Sequence, residues 1–399
     1  MTNRRKAWAV MVVVFVASVA VAANRFKPPP VLPTLMAELQ VDMVTGGWLM
    51  SAFAVAAICL SIPAAFLLNW MGIKLTGSLA LACVVLGAVI GGLAKGAPML
   101  VMGGVIEGIG ATLISVVAPV AISLWFPLED RGLPMGIWAG WVPVGNVITF
   151  NLAHSLADAF GWRSLWWFGA GLASIALALV VLVVRAPAKK ASRRSKAPSV
   201  ADSLQHGLVN PRAWLLGLGF GAFGFALLGY NSWAPTFLTE TMGVAPGTAG
   251  SLASLMFLAA IPANIIAGWF ISRLRHPSRL LPLAFVLLCV LYIWAFRLES
   301  QAIIAPYMIA LGLISNFIPA TIFTLTPETA SDPASASLAL GLVNVGSNIG
   351  ALAGPPTLGA IVSGGNWRMG SIGLVGVTVA GMIITWWVSR MLEDHDSSH

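Results

Sequence analysis

The sequence predicts an all-α polytopic membrane protein, with 12 transmembrane helices in two pseudo-symmetric six-helix halves. Three observations carry this. Of 399 residues, 58% are hydrophobic and only 9% are charged, against about 25% charged in a soluble protein. Apolar runs of the length a spanning helix needs, about 20 residues, recur along the whole chain. Short motifs repeat at offsets of 199 to 205 residues.

Mean hydropathy is +0.89. A soluble fold has too few polar residues here to cover its surface, whereas lipid solvates the outer face of a membrane bundle. The net charge of +8 therefore reads as a topology signal, and no nucleic-acid partner is expected. Cys59, Cys83 and Cys289 stand isolated in apolar runs, without metal spacing or a disulfide framework. They read as packing thiols, and no metal or cofactor is expected.

The expected spans are 8–36, 45–69, 75–95, 98–125, 133–158, 164–185, 212–239, 247–271, 279–298, 302–326, 334–362 and 368–390. The runs are too long and too uncharged for strands, and spanning helices tolerate their glycines. Arg4, Arg5 and Lys6 before an apolar run, with Ala20-Val21-Ala22 resembling a cleavage site, imitate a signal peptide. Cleavage would leave an odd number of helices and break the repeat, so this run is read as span 1.

Loop Lys and Arg set orientation. With the N-terminus inside, sixteen of them fall in inner segments and four (Lys95, Arg163, Arg297 and Arg368) in outer ones. Both termini are thus expected in the cytoplasm, with the protein in the cytoplasmic (inner) membrane. The hydrophilic stretch 186–211 carries Lys189, Lys190, Arg193, Arg194 and Lys196 among Ser, Pro and Ala, and reads as a flexible cytoplasmic linker. The expected domains are 1–185, a six-helix bundle, the linker 186–211, and 212–399, a second six-helix bundle.

The halves repeat. Pro33-Thr34-Leu35 with Glu38 matches Pro235-Thr236-Phe237 with Glu240. Ile62-Pro63-Ala64 matches Ile261-Pro262-Ala263, Trp162-Arg163 matches Trp367-Arg368, and Asn146 matches Asn348. Internal repeats around a midplane site are a route to alternating access.

On these residues the chain resembles the major facilitator superfamily. Trp125-Phe126-Pro127 with Arg131-Gly132 and Met135-Gly136, and Gly161-Trp162-Arg163 before span 6, are similar to that family's wording. The resemblance covers the whole chain and implies the family's fold and secondary transport. Three departures stand out. The family's loop Gly-x-x-x-Asp-Arg/Lys-x-Gly-Arg/Lys is here Ala65, Asn69, Trp70, Gly72 and Ile73, then Lys74, and in the second half Gly268 is followed by Ser272 and Arg273 without the Asp. Gly104 stands where proton-coupled drug exporters carry an Arg, and Glu107 precedes Gly108. Their span-5 motif survives only as Gly140, Pro143 and Gly145 in altered spacing.

Assigning charges to loops leaves Arg25, Lys27 and Glu107 inside spans. A charge at the bilayer centre costs about 2.5 kcal/mol or more, so these residues face a cavity or a partner. Arg25 is the leading substrate candidate, because a guanidinium holds a planar anion through two parallel hydrogen bonds. Pro28-Pro29-Pro30 is expected to interrupt its helix, as helices at transporter sites are interrupted. Lys27 lies about 200° further round an ideal helix, and either joins the site or snorkels outward. Glu107 pairs with Arg25 or with Lys27, or carries a coupled proton. His154 is the other proton candidate, against a structural role near the outer end of span 5.

Uncharged candidates for substrate contact are Asn24, Phe26, Trp141, Asn146, Tyr230, Asn231, Asn344 and Asn348, since amides offer both a donor and an acceptor. Asn316 is a weaker one. Trp138 reads as an aromatic anchor, and Trp162, Trp166, Trp167, Trp386 and Trp387 as interface belts. Gly219 to Gly224 satisfies a dinucleotide glycine pattern but follows no strand, so it reads as helix packing. No phosphate loop supports ATP-driven transport, and no catalytic constellation supports an enzyme.

Two cations against one carboxylate favour a small monoanion as substrate, moved across the cytoplasmic membrane through a central cavity with protons as a candidate coupling ion. The resemblance agrees: Asn24-Arg25 is similar to an element of the cyanate and nitroimidazole group, and the Gly- and Asn-rich spans 5 and 11 to nitrate and nitrite carriers. Those carriers place arginines in helices 2 and 8, where this chain has none. The alternatives are efflux of hydrophobic drugs or metabolites and, more remotely, a non-transporting membrane receptor. A monomer in the lipid bilayer is expected.

Overall fold

The computed structural model describes residues 2–60, 63–127, 130–184, 210–274, 276–329 and 333–396. Among them are fifteen α-helices and no strand. The first eight are α1 (Thr2–Arg25), α2 (Pro28–Leu39), α3 (Met43–Leu60), α4 (Pro63–Gly92), α5 (Ala97–Trp125), α6 (Gly132–Ala139), α7 (Trp141–Phe160) and α8 (Arg163–Val183). Then come α9 (Pro211–Glu240), α10 (Pro246–Ile271), α11 (Leu280–Trp294), α12 (Gln301–Ser315), α13 (Phe317–Glu328), α14 (Pro333–Val362) and α15 (Trp367–Asp396). Eleven segments of the described residues are long and apolar enough to cross a membrane. The remaining expected span, 133–158, is α6 and α7, meeting at Gly140. α7 carries the polar residues Asn146, Asn151, His154 and Asp158.

Span 1 is α1 followed by α2. Its break falls at Phe26 and Lys27, before the prolines rather than at them. Pro28, Pro29 and Pro30 open α2 instead, because a first turn needs none of the N–H groups that proline lacks. Two glycines make turns that other residues resist. Gly72 interrupts α4 with φ 76° and ψ 169°, between the expected second and third spans. Gly161 ends α7 with φ 76° and ψ 163°. This region is essentially restricted to glycine.

The chain forms two compact units: Met1–Val41 with Ala52–Ser195, and Asp42–Ser51 with Lys196–His399. The expected linker lies outside the described residues, save Asn210 and Pro211. Asn210 caps α9, accepting from the Arg212 and Ala213 amides.

In the first unit α1 packs on α5, α7 and α8, and α4 on α5 and α8. The core holds Val10, Val14, Leu81, Val84, Leu113, Ile114 and Val117. Gly108 lets α5 approach α3, where a Cβ would stand 2.5 Å from the Phe53 carbonyl oxygen. Arg131 donates to the Ser123 and Phe126 carbonyls and so closes the C-terminus of α5.

In the second unit α9 lies along α14. A Cβ at Gly224 would stand 2.5 Å from the Ser347 carbonyl oxygen, and one at Gly346, Gly350 or Gly354 would collide with α9 backbone. The glycine run 219–224 therefore acts in helix packing. Residues 42–51 join this unit: Gly47 abuts Pro355 and Pro356, and the Ser51 hydroxyl donates to the Ala351 carbonyl.

Cys59 is exposed rather than packed, while Cys83 and Cys289 are half-buried. Trp162 and Trp166, read from sequence as interface belts, are buried. Trp167, Trp386 and Trp387 are exposed.

Candidate functional site

The unusual charges of span 1 sit at its break. Lys27 does not snorkel outward: its side chain is 3% exposed and that of Glu107 2%, and Nζ lies 2.6 Å from Oε1. Lys27 donates also to Asn24 Oδ1 at 2.7 Å. Asn24 in turn donates to the Ala20 and Gly169 carbonyls at 2.8 and 3.1 Å. The Trp166 ring completes the surroundings, its centroid 5.2 Å from Nζ. A lysine with a carboxylate, an amide oxygen and an aromatic face has its charge compensated on every side.

Glycines make room for this network. A Cβ at Gly87 of α4 would stand 2.6 Å from Glu107 Cγ. One at Gly91 would collide with the Trp166 indole, and one at Gly169 of α8 with the Asn24 amide. The pair thus ties the break of span 1 to α4, α5 and α8. Thr149 of α7 adds a bond to the Ala23 carbonyl at 3.0 Å, and Gly145 brings α7 against Ala22 and Ala23.

Arg25 is placed differently. It is half-buried, with its guanidinium carbon 5.7 Å from the Phe26 ring centroid. It has no hydrogen bond or ion pair to any described residue. Of the two partners the sequence allowed, Glu107 pairs with Lys27. Phe26 itself is buried.

Of the remaining candidates, Asn146 is fully buried and neither of its amide atoms has a partner among the described residues. Buried amides are ordinarily satisfied by protein or water. Trp141 is half-buried and stacks on Trp138, with centroids 6.1 Å apart. The Trp138 indole donates to Ser18 Oγ at 3.0 Å. His154 lies 2.9 Å from Asp158, one turn on and 65% exposed.

In the second unit Tyr230 is buried among Tyr292, Phe296 and Tyr307, with centroids 5.9, 5.2 and 6.3 Å away. Its hydroxyl meets Met308 Sδ at 3.7 Å. All three tyrosines of the chain thus meet in one cluster. Asn231 is buried with its Oδ1 unpartnered. Asn344 is exposed and Asn348 half-buried, and their amides donate one turn back, to Leu340 and Asn344. Asn316 joins α12 to α13 and donates to the Gly312 carbonyl.

Two of the repeated motifs meet in space. In the first unit Glu38 accepts from the Trp162 indole at 2.8 Å and from Arg163, which also donates to the Ala94 carbonyl at 3.0 Å. In the second unit Trp367 instead packs on Phe237 and Phe296, 5.5 and 5.3 Å between centroids. Trp166, read from sequence as a belt residue, joins the network instead, and Gly87, Gly91 and Gly169 had no signal in the sequence beyond being glycines.

With this geometry in view, the chain matches the sequence profile of the Major Facilitator Superfamily over residues 14–337 and 238–398, and it belongs to that family. The glycerol-3-phosphate transporter of Bacillus subtilis (strain 168) is 26% identical over 296 residues, 67% of this chain and 66% of that protein. The nitrite extrusion protein of the same organism is 26% identical over 290 residues, 72% and 71% of the two chains. The quinolone resistance transporter of Acinetobacter baumannii is 24% identical over 299 residues, 68% of each. Among solved structures, a bacterial homologue of the human lysosomal transporter Spinster superposes with a TM-score of 0.83 at 17% identity, covering 96% of this chain and 97% of that one.

Proposed function

We propose that this protein is a secondary transporter of a small monoanion across the cytoplasmic membrane, with both termini in the cytoplasm, working as a monomer by alternating access. The observation that carries the reading is the asymmetry of the two span-1 cations. Lys27 is compensated by Glu107 at 2.6 Å, while Arg25 is half-buried with no acidic partner among the described residues. A single uncompensated guanidinium suits a planar anion of charge −1 better than a dianion. Asn146, with its unpartnered amide, is the proposed second contact. The similarity to transporters named for glycerol-3-phosphate and nitrite supports an anionic solute.

Proton coupling through Glu107 or His154 has weaker support, because Glu107 faces Lys27 and His154 faces Asp158. It requires uptake that depends on a pH gradient and is lost on neutralising either residue. Efflux of hydrophobic compounds is the second reading, favoured by the similarity to the quinolone resistance transporter.

The test is a thermal-shift screen of small anions and hydrophobic drugs on purified protein, since ligands that bind the folded state raise apparent stability. Monoanion hits that disappear in Arg25→Ala support the proposal. Drug hits alone, unchanged in that variant, overturn it in favour of efflux.

A further inference from the structure

The second unit carries a basic pocket at one end of the α11–α15 pair, lined by Arg279, Pro282, Trp386, Ser389 and Arg390, with a volume of about 360 Å³. The lining alternates in kind. Arg279, Arg390 and Ser389 supply its polar lining, and Trp386 is 47% exposed with the Arg390 guanidinium 4.9 Å from its ring centroid. Arg279 directly precedes α11 and Pro282 lies in its first turn, where the helix dipole favours an anion. The sorting of loop charges puts this end at the cytoplasmic face.

Beyond the pocket the surface turns apolar. On α11, Leu283, Val286, Leu287 and Val290 are exposed at helical spacing, and on α15 so are Ile383 and Ile372. The two helices pack closely because a Cβ at Gly381 would stand 2.5 Å from the Phe285 ring, which fills that place instead. A basic pocket therefore caps two apolar stripes along α11 and α15. Basic pockets between spanning helices at the cytoplasmic side take anionic headgroups.

We propose that this pocket binds the headgroup of an anionic phospholipid. The phosphate lies between Arg279 and Arg390, the glycerol backbone rests against Trp386, and the acyl chains follow the apolar stripes of α11 and α15. A free phosphate offers the same headgroup chemistry but makes no use of the stripes, so the lipid is the occupant.

The test titrates purified full-length protein in mixed micelles with phosphatidylglycerol or phosphatidylcholine, reading bound lipid by native mass spectrometry. Inorganic phosphate and glycerol 1-phosphate form the soluble arms. Wild type is expected to retain phosphatidylglycerol over phosphatidylcholine. Arg279→Gln with Arg390→Gln is expected to weaken that retention about thirtyfold, and Arg390→Gln alone about fivefold. Arg279→Lys with Arg390→Lys keeps the charge and most of the retention, and stands in should the double Gln variant fail to fold, with the single variant carrying the measured loss. Equal retention of the two lipids by wild type, unchanged retention in Arg390→Gln, or competition by free phosphate at the lipid's own concentration would each overturn the assignment.

Discussion

Replacing Glu107 alone, Lys27 alone and both together separates a compensated pair from two independent charges. The pair is 2.6 Å apart with both side chains almost wholly buried. Removing one member strands the other, at about 3–5 kcal/mol. Replacing both with apolar residues of similar size, as in Lys27→Met with Glu107→Leu, removes that penalty, and such exchanges are often neutral or stabilising. One loss remains. Asn24 Oδ1 accepts from Lys27, and leaving a buried acceptor unmade costs about 1–3 kcal/mol. In a unit of this size each kcal/mol moves the melting temperature by about 2–4 °C. Glu107→Gln and Lys27→Met should therefore each melt about 6–20 °C below wild type, and the double variant above either single one. The assay is a thermal melt of purified protein in one detergent, read by intrinsic fluorescence. Losses that simply add in the double variant would refute the reasoning, because the charges would then not compensate each other.

Other outcomes follow from the same geometry. Gly169→Ala drives a Cβ into the Asn24 amide and Gly87→Ala into Glu107, so each should destabilise by about 1–3 kcal/mol. Gly171→Ala, with open space around it, should be neutral in the same melt. Gly72→Ala forces a side chain into a glycine-only conformation and should cost about 1–3 kcal/mol. Glu38→Gln breaks the contact with Arg163, but these side chains are 48% and 37% exposed, so a loss of no more than about 1 kcal/mol is expected.

Spans were legible because the bilayer imposes a length on them, and composition alone reveals it. The span of α6 and α7 was legible too, since 133–158 stayed uncharged up to Asp158 despite its polar residues. The break in span 1 was misplaced by two residues, because prolines read as helix breakers also serve as first-turn residues. The three intramembrane charges were found by elimination from the loops. Which of them pair was not legible: Lys27 and Glu107 are 80 residues apart, and an ideal-helix angle fails across a break. Trp162 and Trp166 misled for a related reason. A tryptophan near a span end looks alike in sequence whether it meets lipid headgroups or, as here, Glu38 and Lys27. The network's glycines carry meaning only beside the side chains they admit, which is information about pairs that one sequence does not contain.

Uptake into proteoliposomes decides whether Arg25 holds the transported anion, as proposed. Proteoliposomes of wild type, Arg25→Ala and Arg25→Lys are loaded with buffer, and entry of radiolabelled small monoanions is followed at matched protein content and melting temperature. Monoanion entry by wild type and its loss in both variants are expected, since lysine cannot reproduce the paired hydrogen bonds of a guanidinium. Unchanged uptake in both variants would contradict the proposal.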